Sequence, residues 1–250
     1  MISYVIPTLL KDENLFKTIA FFSQIEDDSA ELIIINNTKD QRIKHRDSRI
    51  QIVNLGFNSF VNPAWNLGVR LSKNDYVCIM NDDIFMNMSE FHTFVCKNSP
   101  EFIGFHHVNR PENMQNSYEE NDSSTWELKV NEDINRRPYG FGQFMLIKKR
   151  NWEEIPTDAK IFHGDDIIYY GHTLKHGILS SRIHGMTIHG NQSVTAKDWY
   201  SSNIAKSDTI GYFKWISDNG MECNTGENTK SAWKREDYEY KYGIESRMKQ

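Results

Sequence analysis

The chain is poor in cysteine: Cys78, Cys96 and Cys223 are the three in 250 residues, and no two share a C-x-x-C spacing. An odd, scattered set excludes a disulfide framework and a C-x-x-C redox or zinc motif, and it implies a reducing compartment, the cytoplasm. No apolar run approaches the roughly 18 residues that a membrane span needs. The apolar start "MISYVIPTLL" lacks the basic segment and the length of a secretory leader. A soluble protein without a membrane partner is therefore expected. Positive charge is not in excess either. The formal net charge of −5 gives no general attraction to nucleic acid or to an anionic membrane. A Gly-rich, basic loop after the first apolar run is missing as well, since that run continues as "PTLLKDEN". A nucleotidyltransferase would need such a loop to cradle a triphosphate.

What is present suffices for a core. Hydrophobic residues make up 38% and aromatic residues 12% of a length that suits one α/β domain. "ISYVIPT" (2–8), "ELIIINNT" (31–38), "IQIVNL" (50–55) and "DYVCIM" (75–80) are short, β-branched apolar runs and read as buried strands. Between them, "ENLFKTIAFFSQI" (13–25) spaces Leu15, Ile19, Phe22 and Ile25 as one helical face. "NPAWNLGVRLS" (62–72) reads as a second helix, with Asn62 as its cap and Pro63 at its first position. This alternation predicts a mostly parallel central sheet flanked by helices. Residues 106–138, rich in Asn, Glu and Ser, read as a long insertion or lid. "FGQFMLIKK" (141–149) resumes a strand, "GDDIIYYGHTLKHG" (164–177) a helix and "SSRIHGMTIHG" (180–190) a strand. Residues 1–195 form the expected domain. The stretch 196–250, dense in Trp, Tyr and charge, is the expected helical extension packed upon it, with its aromatic residues serving as packing.

"CIMNDDIFM" (78–86) poses the functional question, because two carboxylates stand at the end of an apparently buried strand. Burying unpaired carboxylates costs several kcal/mol unless something positive meets them. Other strands also end in polar residues, at Pro7-Thr8 and at Asn36-Asn37-Thr38. In parallel sheets ligands bind outside the carboxyl ends of the strands, so these ends would build one polar edge. Asp165-Asp166 and His189 supply further groups. Carboxylates suit a hard divalent cation, and one imidazole favours Mn²⁺ over Ca²⁺. A bound cation would stabilise a departing diphosphate, and a carboxylate outside its shell could take a proton from an acceptor hydroxyl.

Taken in order, "SYVIPTLLKDENLFKTI", "NLGFNSFVNPAWNLGVRLSKNDYVCIMNDDIFM", "GFGQFMLIKK", "FHGDDIIYYGHTLKHG" and "TIHGNQS" resemble the GT-A glycosyltransferases of the family 2 type over residues 2–195. The resemblance implies a GT-A-like, Rossmann-related α/β fold and an inverting transfer of sugar from a nucleotide diphosphate sugar, a UDP-sugar for choice, with Mn²⁺ or Mg²⁺. Asn81-Asp82-Asp83 matches the family's DXD segment, implying metal binding by Asp83 and donor contacts by Asn81 and Asp82. Asp165-Asp166 matches its acidic pair, with Asp166 as the base, and His189 its late metal-binding His. Pro7, Thr8, Asn37 and Asn66 fall among the donor-binding positions, and Gly142 and Gln143 in the segment lining the sugar pocket. Two departures are visible: Asn36-Asn37 stands where an Asp commonly reads the base, and Asp165 replaces the usual Glu.

The acceptor is left open between a glycan, a protein and a hydroxymethylated DNA base. The Asn/Asp/Lys-rich texture resembles virus-encoded members, for which the location would be the host cytoplasm. A DNA acceptor requires a basic face, for which Arg136, Arg137, Lys148, Lys149 and Arg150 are candidates. His106, His107 and His163 stand near the candidate segments without a defined role. The rival readings are a nucleotidyltransferase and a nucleotide-sugar or glycan-binding module without turnover.

Overall fold

A computed structural model describes residues 1–10, 13–104, 123–132, 141–186, 188–190 and 204–221. In chain order its elements are β1 (Ile2–Thr8), α1 (Asn14–Phe22), β2 (Glu31–Asn36), β3 (Ile50–Asn54), α2 (Val61–Leu71), β4 (Tyr76–Met80), β5 (Ile84–Phe85) and α3 (Met88–Asn98). They continue with β6 (Phe102–Gly104), β7 (Glu127–Val130), β8 (Phe144–Lys148), α4 (Gly164–Tyr170), β9 (Ser181–His184), β10 (His189–Gly190) and α5 (Ala205–Asp218).

One eight-stranded sheet runs β3-β2-β1-β4-β8-β6-β9-β7. Its first half is parallel, with Thr8 beside Asn36 across β1–β2 and Val5 beside Ile79 across β1–β4. Beyond β4 the sheet is mixed, because β8 lies antiparallel to both β4 and β6. Both faces are covered at the central strands β1, β2 and β4, which explains why these read as apolar runs. Tyr4, Ile6, Leu32, Ile34, Cys78 and Met80 point to one side, where they meet Leu15, Ile19 and Phe22 of α1 and Phe91 of α3. Val5, Ile33, Ile35, Val77 and Ile79 point to the other, against α2, α4 and Trp215 of α5. The α/β architecture expected from the alternation is the one observed.

The local differences have physical causes. Asn62 does not cap α2, and Pro63 is the third residue of the helix, not the first. Asn62 lies one residue inside the helix, fully buried, and its amide donates to Ala159 O at 3.0 Å and Phe162 O at 3.2 Å. The run 180–190 breaks at Gly185, where φ is +88°, so β9 joins the main sheet while β10 pairs with β5 in a separate ribbon. Within 106–138, residues 127–130 form an edge strand on β9. Residues 105–122 and 133–140, with His106, His107, Arg136 and Arg137, lie outside the described residues, as do Trp199, Tyr200 and Trp233 of the tail.

A single helical turn of wider pitch (Gly171–Lys175) follows α4 and buries His172 completely. The ring stacks on Phe102 at 4.3 Å, and its Nδ1 donates to Ile168 O at 2.8 Å. Burial holds its pKa down at about 4, below the unfolded value of 6.5. Between these two values the unfolded chain takes up a proton that the fold refuses. Stability is therefore full above pH 6.5 and falls as the pH drops toward 4, by on the order of 3 kcal/mol in all. His172→Phe keeps the stack and removes the titration. Urea unfolding at pH 7 and pH 4.5 is expected to show a smaller loss for the variant than for the parent; equal losses would clear His172 of this role.

Candidate active site

The crevice arises from connectivity. From β1 the chain passes through α1, on one face of the sheet, to β2; it reaches β4 through α2, on the other face. The order therefore reverses between β1 and β4, the place where doubly wound sheets bind ligands at their carboxyl edge. There β1 stays paired with β2 as far as Thr8, but its pairing with β4 ends at Val5. Pro7, with no N–H to offer a ladder, sits where the two strands part.

A continuous set of contacts crosses this edge. The Thr8 hydroxyl donates to Asp82 Oδ2 at 2.6 Å and accepts the Leu10 N–H at 3.0 Å. Thr8 O accepts the Asn37 N–H at 2.9 Å. The Asn37 side-chain oxygen accepts from the N–H and the hydroxyl of Ser59, at 3.1 and 2.7 Å. A backbone N–H can only donate, so these bonds define which end of the Asn37 amide is oxygen. On the other flank, the Asn81 N–H donates to Gln143 O at 3.1 Å, docking the turn Phe141–Gln143 onto the end of β4. The Asp165 carboxylate lies against Gly142, where an added Cβ would come within 2.6 Å of Oδ2. His189 stands across the β5–β10 ribbon from Phe85, two positions beyond Asp83. A residue more than 100 positions away is thus brought beside the Asp pair.

Asp165 and Asp166 occupy the first turn of α4, where the helix dipole favours negative charge. His163 precedes them in a left-handed conformation (φ +63°), its Nδ1 2.9 Å from Asp166 Oδ2 and its Nε2 3.3 Å from the Thr209 hydroxyl. The Thr209 hydroxyl directs its own proton to Ala205 O at 2.7 Å. Both ring nitrogens thus have a hydrogen-bonding partner. Tyr212 stacks on His163 at 4.6 Å and 9°.

Helix α5 fixes this loop through Asp208. The carboxylate is fully buried and accepts the N–H groups of Lys160, Ile161 and Phe162 at 2.9, 2.7 and 2.8 Å. Burial pushes its pKa up, against the pull of those three donors. Asp208→Ala would strand them, and a loss of roughly 3 kcal/mol or more in unfolding free energy is expected from chemical denaturation. An effect below 1 kcal/mol would show the clamp to be dispensable.

Two candidate groups do not join the edge. Asn66 is turned into the protein: its amide nitrogen donates to Ile155 O at 2.7 Å, and its oxygen accepts from Trp152 Nε1 and the Ile155 N–H, both at 3.1 Å. It ties α2 to residues 152–155. The basic group Lys148, Lys149 and Arg150 lies at the opposite edge, because β8 runs antiparallel and sets Lys148 beside Tyr76 at the start of β4. That is roughly 13 Å down the strand from Met80. There Lys148 and Arg150 pair with Glu101.

Asp208, Thr209 and Tyr212 were not legible as site residues. An Asp in the first turn of an aromatic-rich helix gave the only sign, and nothing in spacing connects it to residues 160–166.

A doubly wound sheet of this order, with carboxylates at the strand ends beside the switch point, defines a GT-A glycosyltransferase. Residues 3–164 match Glycosyl transferase family 2, and the chain belongs to that family. No curated protein sequence matches the chain. Among solved structures, S. aureus TarS 1-349 shares the fold with a TM-score of 0.57 at 8% identity, over 92% of this chain and 75% of that one. The same protein in complex with UDP-GlcNAc gives 0.60 at 8% identity, over 87% and 65%. Mannosyltransferase PcManGT from Pyrobaculum calidifontis, in complex with GDP-Man and Mn²⁺, gives 0.57 at 11% identity, over 95% and 69%. Among the described residues, no helix is long and apolar enough to cross a membrane.

Proposed function

We propose that this glycosyltransferase is metal-dependent and inverting, moving a sugar from a UDP-sugar to an acceptor hydroxyl in one displacement. The observation that supports it best is the continuous contact set Asn37–Thr8–Asp82 and Asn81–Gln143–Gly142–Asp165 across the switch-point crevice. Asn37, its oxygen held by Ser59, offers its amide N–H groups to a carbonyl of the base. Thr8 and Asn81 line the ribose side, and Asp82, braced by Thr8, orients the donor. Gly142 and Gln143, with Asp165 packed against Gly142, line the sugar pocket on this reading.

Asp83 and His189, whose backbone positions the β5–β10 ribbon brings near each other, would hold a hard cation. Mn²⁺ or Mg²⁺ bound there supplies charge to stabilise the departing nucleoside diphosphate. Asp166, oriented by His163, takes the acceptor proton as the hydroxyl attacks the anomeric carbon. The acceptor is best read as a glycan or protein hydroxyl, since the Lys148–Arg150 cluster that a DNA acceptor would use sits at the other edge. On this reading catalysis belongs to residues 1–195, and Asp208 of α5 holds the segment before α4.

A screen of nucleotide sugars with Mn²⁺, reading nucleoside diphosphate release with and without glycan, protein and hydroxymethylated DNA acceptors, tests the proposal. UDP release stimulated by a glycan or protein and little changed by salt is the expected result. Binding without release for every donor would identify a non-catalytic module, and stimulation by DNA that collapses with salt would identify the DNA acceptor.

A further inference from the structure

At the amino-terminal edge of the sheet, away from the crevice, three side chains of different chemistry meet. Asp27 lies between α1 and β2, while His92 and Cys96 stand one turn apart on α3, so both project from the same side of the helix. One potential ligand atom from each lies within 4.8 Å of the other two. His92 Nε2 is 3.0 Å from Asp27 Oδ2, and His92 Nδ1 is 3.5 Å from the Tyr4 hydroxyl. The imidazole is anchored in the core at 4% exposure, whereas the Asp27 side chain is 39% exposed and Cys96 lies at the surface.

We propose that Asp27, His92 and Cys96 form a second cation site, for a borderline-soft divalent ion of the zinc class. A carboxylate oxygen, an imidazole nitrogen and a thiolate sulfur are the donor set such an ion takes, whereas hard Mg²⁺ and Mn²⁺ prefer oxygen. Thiolate and carboxylate together neutralise its charge. A tetrahedral ion with bonds of 2.0–2.3 Å holds its donors about 3.5 Å apart. Asp27 Oδ2 and His92 Nε2 are hydrogen-bonded at 3.0 Å; an ion between them would replace that bond and widen the pair by about half an ångström. Cys96, free of the core, closes the longer gap by side-chain rotation, and water takes the fourth position.

The surroundings orient two of the three ligands, as outer-shell partners do in metal sites. Ser29 holds Asp27 Oδ1 with its N–H at 2.9 Å and with its hydroxyl, leaving Oδ2 toward His92. The Tyr4 hydroxyl lies 3.5 Å from Nδ1, where it would accept the ring proton once Nε2 is turned to the ion. A plain Asp–His ion pair would need neither the cysteine one turn away nor an open side to the pair.

Co²⁺ titration of the full chain tests the site, because a thiolate bound to Co²⁺ gives a charge-transfer band in the near ultraviolet. Among the described residues the proposed donor crevice holds no cysteine, and Cys78 is buried in the core. Cys223→Ser serves as background, since that residue lies outside the described structure. A band at one Co²⁺ per chain, displaced by Zn²⁺ and kept in both Cys223→Ser and Asp83→Ala, is expected. Cys96→Ser should abolish it with the far-ultraviolet circular dichroism unchanged, and Tyr4→Phe should weaken Co²⁺ binding about 10-fold. No band in the parent, or an undiminished band in Cys96→Ser, would overturn the site.

Discussion

Asp166→Asn is expected to lower turnover by about 10²- to 10⁴-fold while donor affinity stays within a few-fold of the parent. Asn reproduces the shape of the side chain and can still bond to His163, but it cannot take the acceptor's proton. The loss should appear in kcat with little change in the donor KM, the pattern of an interaction made in the transition state. Asp165→Asn separates the two carboxylates of the first turn of α4. Asp165 lies against Gly142 and Asp166 against His163, so the two face different neighbours. If Asp165→Asn loses turnover and Asp166→Asn keeps it, the base is Asp165, reached from the Gly142 side. Normal turnover in both would refute base catalysis from this pair.

Asp83→Ala is expected to abolish the Mn²⁺-dependent part of UDP binding, measured calorimetrically with and without the metal. Asp83 is one of the two side chains proposed to hold the cation, so its loss should uncouple UDP binding from Mn²⁺. Whatever binding Asn37 and Thr8 give to the nucleoside should survive and become indifferent to Mn²⁺. The parent should show strong metal dependence. Equal metal dependence in parent and variant would place the cation elsewhere, and Co²⁺ spectroscopy would show whether it has gone to Asp27, His92 and Cys96.

Much of the fold was legible because the sheet is buried on both faces. A strand covered on two sides must be largely apolar, and the runs that became β1, β2 and β4 had that character. Their polar ends showed because a change from Ile or Met to Asn and Asp within one residue has few structural uses. The direction of a strand leaves no such mark. A run such as "FMLIK" has the same composition whichever way it lies, so the antiparallel setting of β8, which carries Lys148–Arg150 to the far edge, was hidden.

Tertiary use of polar side chains was hidden in the same way. Asn62 and Asn66 look like a helix cap and a ligand contact, yet both tie α2 to the segment 152–162 through bonds spanning about 90–100 residues. The pairing of β10 with β5 depends on the break at Gly185, which a continuous strand pattern conceals. Asp208 acts on backbone N–H groups, which every residue carries, so nothing in residues 160–162 marks them as its partners.

Proton NMR of the newly formed glycosidic bond tests the single displacement most directly. Attack by an acceptor hydroxyl on the face opposite the leaving diphosphate, assisted by Asp166, inverts the anomeric carbon. An α-linked UDP-sugar should therefore give a β-linked product. An α-linked product would contradict the proposed mechanism, because retention through two displacements would require a nucleophile on the protein in place of a base.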